Sequence, residues 1–120
     1  MLALSFGLLL ITALFGTVLA ALHRHQTQPA WPFGALHGAL GFIGLVILLL
    51  ALRGPSRGIA MGVGSFGRVA AVLLAMALLA GLAILVVRLC YRRTPGLLVG
   101  IHATIAISSV VILAAYTLVG

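Results

Sequence analysis

Residues 34–52 read GALHGALGFIGLVILLLAL, nineteen positions with no permanently charged side chain. A span of about 20 apolar residues crosses the ~30 Å hydrocarbon layer of a bilayer, so this stretch is read as a membrane helix. It also carries a histidine, His37, just inside its first turn. Three further runs have the same character, at about 2–22, 69–87 and 97–119. The fold expected from them is all-α, an integral membrane up-down-up-down four-helix bundle forming one transmembrane domain over residues 1–120.

Composition agrees. The chain is 64% hydrophobic and has no Asp, Glu or Lys, so seven arginines are its only permanent side-chain charges. They stand singly or in pairs at the ends of apolar runs, where cations face lipid headgroups, and not in a patch suited to phosphodiesters. No nucleic-acid partner is expected; the bilayer is. The lone Cys90, beside Arg88, Arg92 and Arg93, has no internal disulfide partner. "VLAAL" at 18–22 offers small residues to a signal peptidase, but "MLALSFG" has no positive charge and the apolar run exceeds a usual signal core, so the first segment is expected to stay as a helix.

Three polar connections join the spans. "HRHQTQPAWP" and "RLCYRRTP" fall on one side of the membrane, and "RGPSRGIAMGVGSFGR" falls on the other. Glycines and Pro55 make the middle connection a loop, partly dipping into the interface. Pro32 and Pro95 are expected just ahead of helices two and four. Arginines number four on the first-loop side (Arg24, Arg88, Arg92, Arg93) and three on the other (Arg53, Arg57, Arg68), a bias that weakly favours the first and third loops in the cytoplasm and is compatible with dual insertion.

All four histidines lie at one end: His23 and His25 after helix one, His37 in helix two, His102 in helix four. At ~1.5 Å per residue, His37 is about 5 Å and His102 about 8 Å inside the expected helix starts. In an antiparallel ring, helices two and four are diagonal, so two inward imidazoles at one depth would face each other. At 100° per residue, His37, Gly41, Gly44 and Leu48 share one stripe, and His102, Ala106, Ser109 and Leu113 another. Small side chains below each imidazole leave room for a flat macrocycle with two axial nitrogens. Ser5, Thr12, Gly16 and His23 align in helix one; Ala70, Ala77, Gly81 and Arg88 align in helix three. Arg88 thus points inward with no acidic residue to pair with, which suits the carboxylates of a haem.

"LHGALGFIGL" around His37 and "GIHATIAISS" around His102 resemble the small membrane cytochromes b, especially the four-helix cytochrome b561-like group, over nearly the whole chain at the level of architecture. The resemblance implies haem b with His37 and His102 as iron ligands and Gly41, Gly44, Ala106, Ser109 and Arg88 around it, and electron transfer as the function. Members of that group commonly hold two haems. Here no histidine lies near Arg53, Arg57 or Arg68, so one haem per chain is expected unless Met61, Met76 or a partner chain supplies a ligand.

The function expected is a membrane electron-transfer subunit exchanging electrons with quinone or a partner redox protein, with His23, His25 and Trp31 candidates to border a quinone. It would act within a larger homo- or hetero-oligomeric assembly more readily than as a stand-alone enzyme. The expected location is a bacterial inner (plasma) membrane. The alternative is a cofactor-free accessory or assembly subunit, since small-residue stripes also serve helix packing. A small multidrug-type transporter matches in size but uses a membrane carboxylate, which this chain lacks.

Overall fold

A computed structural model describes residues 1–27 and 29–119. Four helices form: α1 (Leu2–Arg24), α2 (Trp31–Ala51), α3 (Phe66–Tyr91) and α4 (Gly96–Val119). Each is long and apolar enough to cross a membrane. Every helix packs on its sequence neighbours and α1 closes the ring against α4, which leaves α1/α3 and α2/α4 on the diagonals. The chain is an integral membrane protein with the elongated outline of such a bundle, 48 × 20 × 18 Å.

Helix ends differ from the apolar runs for identifiable reasons. Helix α2 starts at Trp31, earlier than expected, because Pro32 sits within the first turn, where the missing N–H has no helical partner to lose. Helix α3 runs on through Arg88 to Tyr91 and stops where Arg92 turns left-handed at φ 54. Apolarity bounds the part in lipid, whereas arginine is a good helix former and lets the helix continue into the headgroup layer. The middle loop contains a short 3-10 turn, Ile59–Met61, bracketed by Gly58 and Gly62 at φ 66 and 74. Both adopt a left-handed conformation that side chains resist.

The inward stripes lie where the spacing places them. Leu48 and Leu113 are fully buried, as are Ser5 and Ser109. Burial is nonetheless lopsided along the bundle axis. In α1 the buried positions are Leu2, Ser5, Leu9 and Thr12, in its first half; in α4 they are Ser109, Leu113 and Tyr116, in its second. Those in α2 and α3 fall at the same end, near the middle loop. This half of the bundle is solid.

Its seams are made by close approach, the usual basis of helix association in lipid. The Ser5 hydroxyl donates to the Gly44 carbonyl at 2.9 Å. A Cβ on Gly44 would lie 2.6 Å from Leu9 Cδ2, and one on Gly67 would lie 2.7 Å from Tyr116 Cε1. Leu9 is itself buried and has little room to retreat. Gly44→Ala is therefore expected to cost about 1–3 kcal/mol through overpacking. Thermal unfolding in detergent checks it: the midpoint should fall for Gly44→Ala and hold for Gly38→Ala, where an added Cβ meets nothing within 4 Å.

Candidate functional site

The other half of the bundle, toward the first and third loops, is hollow. Two cavities open there, of about 230 Å³ and 550 Å³, and both have His37, His102 and Gly81 in their walls. The smaller reaches up to His23, Pro29, Trp31 and Arg88. The larger runs down between α2 and α3 past Gly41 to Leu74. Each separates the α1–α2 hairpin from the α3–α4 hairpin, so together they outline a slot between the two hairpins. Most of the wall is aliphatic or glycine, with His23, His37, His102, Arg88 and a few threonines as its polar members.

Helix α2 carries His37 and helix α4 carries His102, each six residues beyond the first residue of its helix. At ~1.5 Å per residue both therefore lie about 9 Å deep, a closer match than the apolar runs alone imply. Their ring centroids are 6.0 Å apart with the planes at 79°. The His102 ring is oriented by its Nδ1, which is 2.8 Å from the Ala77 carbonyl. A carbonyl can only accept, so Nδ1 carries the proton and Nε2 is left with a free lone pair. His37 Nδ1 is buried and has no hydrogen-bond partner among the described residues. Such a group is costly unless something absent from the polypeptide satisfies or orients it.

Each imidazole lies against a glycine of the neighbouring helix in its own hairpin. A Cβ on Gly16 would come within 2.7 Å of His37 Cε1, and one on Gly81 within 3.1 Å of His102 Cε1. These two glycines set how far the rings recede from the slot. Both are legible on inward stripes, but nothing in composition marks them as the backing of the histidines.

The remaining expected site residues divide. Gly41 and Ala106 line the larger cavity, and at Gly41 an added Cβ meets only Thr12 Cγ2 at 3.7 Å. Arg88 lines the smaller cavity and donates from Nη2 to the Pro29 carbonyl, which holds it across the slot mouth. Gly44 is instead in the α1–α2 seam against Leu9. Ser109 is fully buried and its hydroxyl returns to the Ala106 carbonyl of its own helix. His23 and Trp31 border the smaller cavity, whereas His25 is exposed on the loop side. Met61 and Met76 are exposed, 66% and 49%, and neither turns toward the bundle interior.

Among the described residues, no three His, Cys, Asp or Glu side chains come close enough to hold a metal ion. Fold and site together define a four-helix integral membrane protein with a paired-imidazole slot in one leaflet. No protein-family model, curated protein or solved structure matches the chain.

Proposed function

We propose that this protein is a membrane electron-transfer subunit that holds one haem b between His37 and His102. The observation that carries the reading is the pairing of two imidazoles at matching helix positions beside cavities with mainly apolar walls. The residues fit the group. The two ring centroids are 6.0 Å apart, so His37 and His102 are the residues that would hold it. The metal would bring the coordination that the protein does not provide, and its ring would occupy the slot. The larger cavity also falls within the ~300–1,000 Å³ of ordinary cofactor pockets.

Bound there, haem supplies reversible one-electron chemistry. The polypeptide does the rest. The Ala77 carbonyl fixes the His102 tautomer, and Gly16 and Gly81 set the positions of the two rings. Aliphatic walls exclude water, and Arg88 offers a cation at the loop end, where carboxylates would meet it. With His37 and His102 both engaged in holding the iron, the group would favour electron transfer over oxygen binding. Quinone, or a redox partner subunit on the first-loop face, is the electron exchange partner in this reading, and a bacterial inner membrane is the location.

A cofactor-free accessory subunit is the second reading. It draws on the same ring pair, since 6.0 Å and 79° also describe an ordinary edge-to-face aromatic contact. That contact gives no reason for the cavities beside the two rings. A pyridine haemochrome assay on purified protein tests stoichiometry: the value should approach one haem per chain. Two per chain would contradict the assignment, because no histidine lies at the middle-loop end and the methionines there and in α3 face outward.

A further inference from the structure

The two hairpins share a 65-residue register at the positions around the slot. His37 and His102 are 65 residues apart, and so are Gly16 and Gly81, which back them; the first residues of α2 and α4, Trp31 and Gly96, share that offset. The same shift carries the buried residues Leu9, Gly44 and Leu48 onto the buried Leu74, Ser109 and Leu113. Both units run in the same sense, α1 with α3 and α2 with α4. They are therefore related by a pseudo-twofold axis along the bundle, and the diagonal imidazoles sit symmetrically about it. A site on that axis is made of equivalent pairs.

Arg88 also has a counterpart in this register. The 65-residue shift carries His23 onto Arg88. Both are half-buried, and both line the smaller cavity at its loop end, one on each side of the slot. Arg88 is a permanent cation, and an imidazole can donate an N–H to a carboxylate whether charged or neutral. No Asp or Glu exists in the chain to occupy either of them.

We infer that His23 and Arg88 form a two-pronged anion clamp at the mouth of the slot, each prong taking one carboxylate of a planar dicarboxylate group held between His37 and His102. This rests on the haem reading and adds to it a residue, His23, together with an orientation: the acidic edge of the ligand faces the first and third loops. His23 is a positioning residue here, not an iron ligand.

Titrating the apoprotein with haemin and with haemin dimethyl ester, whose carboxylates are masked, tests the clamp separately from axial ligation. Wild type should take haemin at least about tenfold more tightly than the ester, as one or two charge-assisted hydrogen bonds require. Arg88→Gln should lower that preference by about tenfold, with Arg88→Lys restoring part of it. His23→Gln should lower it by about threefold, and the double variant should bind both compounds alike, all with unchanged affinity for the ester. Equal binding of the two compounds by wild type, or a preference untouched by either substitution, overturns the clamp while leaving axial ligation in place. Binding of neither compound overturns the haem reading, and the clamp with it.

Discussion

His37→Ala and His102→Ala are each expected to abolish the low-spin bis-imidazole spectrum, leaving a high-spin signal or no haem. Among the described residues these are the two imidazoles in ring contact, centroids 6.0 Å apart, and both line the cavities between the hairpins. His25→Ala should leave the spectrum unchanged, because His25 is exposed beyond the end of α1. His23→Ala should keep the low-spin signal too, since this side chain stands at the mouth of the slot. Optical and electron paramagnetic resonance spectra of the four variants make the comparison. A His102→Ala protein that keeps the wild-type signal while His23→Ala or His25→Ala loses it would show that the wrong histidines have been paired.

The second large effect is expected at the glycines behind the rings. A side chain at Gly16 cannot share space with His37, whose Cε1 would lie 2.7 Å from the new Cβ. Gly16→Leu must push the imidazole into the slot or out of line, and should remove most of the bound haem. Gly81→Leu should do the same through His102. Overpacking of this kind costs about 1–3 kcal/mol, and leucine adds to membrane hydrophobicity, so the protein should still insert at normal levels. Gly41→Leu should also reduce haem content markedly, for a different reason: its Cβ meets little, but the leucine side chain would fill the cavity that Gly41 lines. Gly7→Leu is the control, with nothing within 4 Å of the added Cβ. An intact spectrum in Gly41→Leu, accompanied by lost association with other subunits, would favour the accessory-subunit reading.

These two sets of variants also mark where the sequence was informative. Four spans, their antiparallel order and the inward faces through Leu48 and Leu113 follow from apolar length and helical period, which respond to the bilayer and to packing alike. The matching depth of His37 and His102 follows as well, because helix rise is constant. Helix ends were less legible. Lipid rewards apolar residues only within the hydrocarbon, while Pro32 and Arg88 belong to turns that continue beyond it.

The hollow was legible only in part: room below the imidazoles was expected from Gly41 and Ala106, which do line a cavity, and from Gly44 and Ser109, which do not. Glycine and alanine stripes look alike whether a neighbouring helix or a cavity lies against them, and Gly41 and Gly44, three residues apart on one stripe, have opposite surroundings. What separates them is Leu9 on α1, whose position depends on how two helices cross. Gly16 and Gly81 did carry a usable signal, the shared 65-residue offset with His37 and His102. It is easily overlooked because most other aligned pairs have diverged within the same apolar class, such as Leu19 with Ile84 and Leu22 with Val87.

The most direct test of the central claim is a reduced-minus-oxidised optical spectrum of the wild-type protein, purified from haem-sufficient membranes. A low-spin b-type difference spectrum that accompanies the folded, monodisperse protein is the predicted result. A folded preparation that shows no haem bands, and acquires none when haemin is added, would contradict the account.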